Sequence, residues 1–423
     1  MNIAYLMQEG GPDVREKPLS GPANHVWHVF KELQALGHNV RLLVQYHGRI
    51  WRSDDLECFE PVKIPRLDRG PLRELERLVR GIQSRLRLPY VNLFESLRFA
   101  QACCQGLADR DLLYERMGWM GYGGGLAARR LGIPLVMEAN NGDFISELER
   151  RGVAPRGFQR WLAIELMRRA VRRASHVVAT GQGHRERFID FWRVEGTHVS
   201  VVENGSEVVD LLSRDRLRSF RADPAASDQV TIVFVGAFEP WHGILKLIPA
   251  MARVAAKIAS ARLVLIGTGT QRERIVQLIH ESGLDERVVL TGPLNISQVS
   301  EYLAEADIGV APYCGWMEFS GLKLFDYKSA GLAIVASGQN GQPATLKHGH
   351  TAWIVPPCDE DALSAAIIGL ASDAALRRRM GQAARLEAEE CHRWRHTALR
   401  LERILKECRA ASRTHPRDAK CMA

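Results

Sequence analysis

Short runs of apolar, β-branched residues alternate along this chain with stretches whose apolar positions recur every three to four residues. In the first half the runs are NIAYLM (2–7), NVRLLV (39–44), LLYE (112–115), PLVME (134–138), HVVAT (176–180) and VSVVE (199–203). In the second half they are TIVFVG (231–236), RLVLIG (262–267), RVVLTG (287–292), DIGVAP (307–312), AIVAS (333–337) and WIVP (353–356). These runs are nearly continuous in hydrophobicity instead of alternating, the pattern of strands covered on both faces in a parallel sheet. Helical periodicity fills the gaps. Residues 25–37 place Val26, Val29, Phe30, Leu33 and Leu36 on one face before a glycine stop, and 244–258, 271–282, 296–306 and 361–371 behave similarly. Strand, helix and parallel strand form a right-handed crossover unit. Six strands twice over predicts an α/β protein of two doubly wound, Rossmann-like domains.

A length of 423 residues also suits two domains. The boundary falls after Asn204-Gly205, where a polar stretch runs to Asp228. The first domain is thus expected over 1–205, with a leucine- and arginine-rich helical insertion at about 65–108. The second is expected over 206–390, and the residues from 411 to 423 as a tail.

Composition narrows the picture. There is no run of 18 apolar residues, so no spanning helix is expected. The N-terminus MNIAYLMQEGG lacks the basic region and cleavage site of a secretory signal. Of the cysteines, Cys58, Cys103, Cys104, Cys314, Cys358, Cys391, Cys408 and Cys421, none forms a C-x-x-C pair. Their spacing fits neither a zinc site nor a disulfide framework, and buried thiols in a reducing cytosol are expected. A cytoplasmic protein follows.

The net charge of +8 is concentrated locally: Arg150, Arg151, Arg156, Arg160, Arg168, Arg169, Arg172, Arg173, Arg185, Arg187 and Arg193 lie close together. Such a patch attracts an anionic membrane or a phosphorylated acceptor, or else is a solvated helix face. No nucleic-acid-binding module accompanies it, so nucleic acid is not the expected partner.

The segment EFSGLKLFDYKSAGLAIVAS (318–337) carries the most chemistry. A strand ends near Pro312, a loop holds Glu318, and a helix opens near Ser320-Gly321 and closes at Gly331. In open parallel sheets ligands bind beyond the carboxyl ends of the strands. A helix starting there offers backbone N–H groups and a positive dipole end to a diphosphate. Lys323 adds a full charge in the first turn, and Asp326, three residues on, shares its face and suits a ribose diol. A surface ion pair would have the same spacing.

Glu318 followed after seven residues by Asp326 resembles the Glu-x7-Glu signature of retaining glycosyltransferase family 4, which has the GT-B fold; SGLKLFDYKSAG resembles that family's SPLKLFEYMAAG. VGAFEPWHGILKLIPAM (235–251) is similar to its VGSFxPWHGV stretch, LIGTGTQRE (265–273) to its third turn, and HGHTAWIVPPCDEDALSAAI (348–367) to its HGENGLLVPPGDPEALAAAI. CHRWRHTALRLERIL resembles the closing helix, which the fold implies over 391–410, crossing back to the first domain. SGPANHVWHVFKELQALGHNVRLLV and YERMGWMGYGGGLAARRLGIPLVMEANN match the family's first half.

The resemblance implies two Rossmann-like domains facing an interdomain cleft. It implies transfer of a hexose-type sugar, with retention, from a nucleotide diphosphate sugar to a glycan, lipid-linked or small-molecule acceptor. Glu318, Lys323 and His242 would be catalytic. Asp326, Ser320, Gly321, Leu322, Gly236, Gly267 and Gly269 would bind the donor, and Gly21 and Asn140 would line the acceptor side. No cofactor or metal is implied: Asp109-x-Asp111 and Asp359-x-Asp361 read as turn and helix-cap residues. Peripheral contact with the inner face of an anionic membrane is expected from the arginine-rich helix at 157–174. The alternatives are a nucleotide-sugar epimerase-like enzyme of the same fold, or a weakly catalytic nucleotide-sugar-binding subunit.

Overall fold

The computed structural model describes residues 1–8, 12–64, 71–85, 92–150, 152–215, 217, 229–315, 321–341 and 343–414. Two compact units emerge: Met1–Val202 with the C-terminal stretch from Ala398, and Glu203–Thr397.

The first unit is built on an eight-stranded sheet in the order β4-β3-β2-β1-β5-β6-β7-β8. These strands are β1 (Asn2–Met7), β2 (Asn39–Tyr46), β3 (Arg49–Ser53), β4 (Glu60–Pro61), β5 (Leu112–Arg116), β6 (Leu135–Ala139), β7 (His176–Ala179) and β8 (Val199–Val201). The expected six strands pair in parallel, and β3 and β4 extend one edge antiparallel. RIWRS and EP are too short to show strand periodicity, so the expected six are eight.

Helix α1 (Gly21–Ala35) begins four residues before its apolar repeat. The Ser20 hydroxyl accepts from Ala23 N at 3.4 Å and Pro22 stands in its first turn, two start signals outside the hydrophobic pattern. The insertion supplies α2 (Pro71–Arg85) and α3 (Leu93–Gly106). Helices α4 (Gly123–Leu131), α5 (Ile145–Arg150), α6 (Gly157–Arg173) and α7 (Gln182–Trp192) complete the described α-helices of the Met1–Val202 stretch. Ile3, Ala4, Tyr5 and Leu6 of β1 are fully buried, as the central strand of a covered sheet requires.

The second unit has six parallel strands in the order β11-β10-β9-β12-β13-β14. They are β9 (Val230–Val235), β10 (Ala261–Ile266), β11 (Val288–Gly292), β12 (Ile308–Ala311), β13 (Ala333–Ser337) and β14 (Ala352–Val355), each within a residue or two of the apolar run that marks it. Short α8 (Val208–Leu211) precedes the sheet. Helices α9 (Ile244–Lys257), α10 (Arg272–Glu281), α11 (Ile296–Glu305), α12 (Leu322–Ser329), α13 (Glu360–Ser372) and α14 (Ala374–Cys391) cover its faces. Ile232, Phe234, Ile244, Leu247, Ile248, Leu263 and Leu265 are completely buried in one cluster. Each such side chain contributes roughly 1.5–3 kcal/mol by leaving water.

The last helix, α15 (Trp394–Thr414), starts in the second unit and continues into the first. In the first unit its Glu402 meets His38 at 2.8 Å and its Arg409 meets Asp111 at 2.7 Å. Asp111 also accepts from Asn2 N at 2.8 Å, and Asp359 caps α13 by accepting from Ala362 N at 2.8 Å. Both D-x-D segments therefore have structural partners. Among the described residues no helix is long and apolar enough to cross a membrane.

Candidate functional site

The sheet order of the second unit reverses between β9 and β12, where an open α/β sheet has its ligand crevice. The two strands pair only at Ile232–Ile308 and Val233–Gly309 and then part. The backbone groups left by that parting are taken up by one side chain of α12. The Tyr327 hydroxyl accepts from Val235 N at 2.9 Å and donates to Val310 O at 3.2 Å. Its ring lies on Gly309, where a Cβ would come within 2.6 Å of it. Burial raises the Tyr327 pKa far above the phenol range, so it stays a neutral donor and acceptor.

Three glycines bring the loops at this edge together. Gly236 leaves β9 at φ 143°, Gly243 precedes α9 at φ 69°, and Gly267 leaves β10 at φ 135°. A Cβ on Gly267 would lie 2.0 Å from Gly236 O, and one on Gly243 would lie 1.7 Å from Pro312 O. Gly269 is equally confined: its Cβ would lie 2.5 Å from Phe238 N. Close backbone approach between loops is the physical reason for these glycines.

Lys323 stands in the first turn of α12, after N-cap Gly321, and is only 8% exposed. Its Nζ lies 4.4 Å from the Phe234 ring centroid and 5.2 Å from that of Tyr313. The same two rings flank His242, at 6.1 and 6.0 Å between centroids. A Cβ on Gly236 would sit 2.9 Å from Lys323 Nζ, so the glycine gives the ammonium its place. The structure thus gathers Lys323, His242, Gly236, Gly321 and Leu322 at one strand-end crevice. Glu318 and Ser320 lie outside the described residues.

His242 differs from the expected charged partner. Burial, and then the neighbouring Lys323 charge, lower its pKa to about 3, so it is a neutral imidazole. Its Nδ1 bonds the Ala237 carbonyl, which only accepts, so Nδ1 carries the proton and Nε2 the lone pair. Lys323 supplies the fixed positive charge. Asp326 accepts from the Ser206 hydroxyl at 2.6 Å, and burial pushes its carboxyl up to about 7 against that bond.

Behind this face α12 is anchored by an ion cluster. Fully buried Lys328 donates to Thr345 O at 2.8 Å and pairs with Glu387 of α14 at 3.0 Å, and His392 lies 3.2 Å away. Burial lowers the Lys328 pKa and its carboxylate partner opposes that shift.

One cysteine expectation is overturned. Cys314, two residues past Pro312, and Cys358, just ahead of α13, form a disulfide with Cα atoms 4.8 Å apart. Nor are the remaining thiols uniformly buried: Cys103 is, but Cys58 is exposed. The two linked positions are 44 residues apart, and only the fold brings their loops to the same sheet edge. Cys421 lies outside the described residues.

In the first unit a second constellation surrounds Glu138, at the carboxyl end of β6 and 1% exposed. His25 of α1 approaches it at 3.0 Å and Arg116 of β5 at 3.0 Å, and the hydroxyls of Tyr5 and Tyr114 point at it. Asn140 donates to the same carboxylate, which fixes the amide orientation. Burial alone would raise the Glu138 pKa, but His25 and Arg116 outweigh it and hold the carboxyl below its usual range. Sequence reading singled out Asn140 and passed over Glu138, His25 and Arg116. The signal available was charged residues near the carboxyl ends of apolar strands, Glu115 and Arg116 in β5 and Glu138 in β6.

Gly21 opens α1 in this unit. The glycine run at 123–125 is packed from within: Gly123 N donates to Gln8 Oε1 at 2.7 Å, and a Cβ on Gly124 would fall 2.3 Å from Glu115 Oε2. The described part of the loop before α1 is pinned by Arg15, 4.3 Å over the Tyr46 ring.

The arginine cluster is only partly a patch. Arg160, Arg168, Arg169 and Arg187 pair with Glu149, Glu165 and Asp143, and Arg185 donates to Val199 O. The start of α6 exposes a stacked Phe158–Trp161 pair, 71% and 59% accessible. Helix α2 is inverted: Glu76 is buried against Arg98 of α3, while Leu75, Leu78 and Ile82 face outward.

Comparison with known proteins agrees with this geometry. The profile of the glycosyl transferase 4-like domain matches residues 20–205, and that of glycosyl transferases group 1 matches residues 215–387. A GDP-mannose-dependent alpha-(1-6)-phosphatidylinositol monomannoside mannosyltransferase of Mycobacterium tuberculosis is 27% identical over 203 residues. That match takes in 44% of this chain, which spans about half (52%) of the relative's length. Among solved structures, sucrose-phosphate synthase from Thermosynechococcus elongatus superposes with a TM-score of 0.70 at 21% identity, covering 97% of this chain and 100% of that one. Anabaena HepE, solved with UDP and glucose, gives 0.67 at 17% identity, covering 96% and 99%. Both profiles and the two-sheet architecture lead to one assignment: the chain belongs to the glycosyltransferases of GT-B fold, with a 4-like domain followed by a group 1 domain.

Proposed function

We propose that this protein moves a hexose-type sugar, with retention and without a metal ion, from a nucleotide diphosphate sugar to a glycan, lipid-linked or small-molecule acceptor. The observation that carries the reading is Lys323, seated on Phe234 and Tyr313 where β9 and β12 part. The glycosidic bond to phosphate breaks with charge growing on the diphosphate. A buried ammonium beside a helix start stabilises that charge most strongly in the transition state. His242, neutral, offers its Nε2 as an acceptor to a sugar hydroxyl, and Asp326 accepts from the ribose. Glu318 is assigned to the sugar hydroxyls on the strength of its place in the motif. The names of the relatives, GDP-mannose-dependent in one case and bound to UDP and glucose in another, support a nucleotide-sugar donor.

Acceptor binding is assigned to the first unit, with Asn140 held by Glu138 and Gly21 at the start of α1. Exposed Leu75, Leu78, Ile82, Phe158 and Trp161, flanked by arginines, fit the interface of an anionic bilayer carrying that acceptor.

A thermal-shift screen of UDP, GDP and ADP sugars tests the donor, since a ligand at 100 times its Kd adds ~2.7 kcal/mol of stability. Mass spectrometry with polyprenyl-phosphate-linked and simple acceptors then identifies the product. A chain stabilised by none of these donors lacks the proposed activity. Cosedimentation with anionic liposomes should fall in Leu78→Glu and Trp161→Glu, and binding indifferent to lipid charge and salt would remove the membrane assignment.

A further inference from the structure

The disulfide lies beside the crevice and has no part in the chemistry proposed above. Cys314 directly follows Tyr313, whose ring flanks both Lys323 and His242. Its amide donates to Trp241 O at 3.0 Å, so the same residue holds the loop that carries His242. Its partner Cys358 sits after β14, so the bond spans the carboxyl edge of the sheet across β13.

Cys358 occupies a left-handed backbone position, φ 62°, where a residue with a Cβ is disfavoured and glycine fits best. A cysteine at such a position is explained by the bond its sulfur makes. The pair is also reachable: Cys358 is exposed and Cys314 half-buried. Exposed disulfides are the ones that exchange with external thiols.

We propose that Cys314–Cys358 is a thiol–disulfide site that sets the affinity of the adjoining nucleotide site, the oxidised form being the tight-binding one. The inference rests on the reading that this crevice holds the nucleotide donor. The reductant it takes is a dithiol. One thiolate attacks the Cys358 sulfur, the Sγ–Sγ bond breaks, and Cys314 leaves with the electron pair and gains a proton. The second thiolate closes the reductant to its own disulfide and frees Cys358, which is protonated in turn. Two electrons and two protons pass to the protein. Tyr313 and Cys314 then lose their tether, and ordering them again opposes nucleotide binding.

The test compares air-oxidised and dithiothreitol-reduced protein by calorimetry with UDP and with GDP. Reduction should weaken binding by roughly three- to thirty-fold, the scale of re-ordering one or two residues. Cys358→Gly, which suits the left-handed backbone, should bind like reduced wild type and ignore the reductant. Equal affinity in the two redox forms overturns the proposal. So does failure to recover a linked 314–358 peptide from the oxidised protein. Hydrogen exchange gives an independent reading, because the Cys314 amide that bonds Trp241 should exchange faster on reduction, and unchanged protection also overturns the idea. If neither nucleotide binds in either form, the donor reading fails, while exchange and peptide mapping still decide whether the pair clamps the loop.

Discussion

Replacing Lys323 by methionine removes the ammonium and keeps an unbranched apolar stem over Phe234 and Tyr313. The folded protein loses a cation seated 4.4 and 5.2 Å from two ring centroids. A desolvated cation–π contact is worth about 2 kcal/mol, so the stability cost stays near or below that. The cost to transfer is larger. A hydrogen bond to a charged group contributes about 1.5–3 kcal/mol, and each 1.36 kcal/mol is a decade in rate, so kcat/KM should fall roughly 10- to 200-fold. The loss should appear in kcat more than in donor affinity, because charge on the departing diphosphate peaks in the transition state. Initial rates of product formation by mass spectrometry, at donor concentrations above and below KM, separate the two. Urea unfolding of the same preparation confirms that the variant is folded. A Lys323→Met protein that turns over within threefold of wild type would refute the assignment of the ammonium to the diphosphate.

Three further outcomes follow from the geometry. Glu138→Gln leaves His25 and Arg116 around a neutral amide and should destabilise the protein by about 3–5 kcal/mol in urea unfolding, the cost of breaking a buried charge pair. Because Glu138 titrates below its unfolded value, its contribution is full above about pH 4.3 and is lost as pH falls further, so the variant should show a shallower acid limb. Asp326 has the opposite sign. Its carboxyl, pushed up to about 7, favours the folded state most below about pH 4 and loses that contribution as pH rises to 7, so Asp326→Asn should flatten the decline in urea midpoint across that window. Gly243→Ala sets a Cβ against Pro312 O at φ 69° and should lower stability by at least about 1–3 kcal/mol in the same assay, with weakened nucleotide binding; an unchanged midpoint would mean that the two loops are not in contact.

The parallel strands were legible because each is buried on both faces, which writes a continuous apolar run. β3 and β4 escaped notice because an edge ribbon of RIWRS and EP has no such constraint. Lys323 was legible from its place in the first turn of a helix at a strand end, and His242 only through the family resemblance. The aromatic pair that joins them was not, since Phe234 reads as core strand and Tyr313 as loop until the strands part around them. Local sequence also conceals Glu138: its partners at 5, 25, 114, 116 and 140 converge only through the sheet order. The disulfide left one trace, a cysteine after Pro356-Pro357 where the resembling family has glycine. The expectation of a buried thiol there could not take account of the left-handed backbone at Cys358, which only the fold reveals.

The hydroxyl of Tyr327 ties the second unit's sheet to its signature helix by two backbone bonds at the spot where the strands diverge. It acts as a spacer: one hydroxyl oxygen bridges a backbone N–H of β9 and a backbone carbonyl of β12. Loops around the rim can therefore change in sequence without altering that contact. On the reading proposed above, a family built this way can diversify its substrates while keeping the place where the sugar–phosphate bond breaks, and Tyr327→Phe is the change that would let that spacing drift.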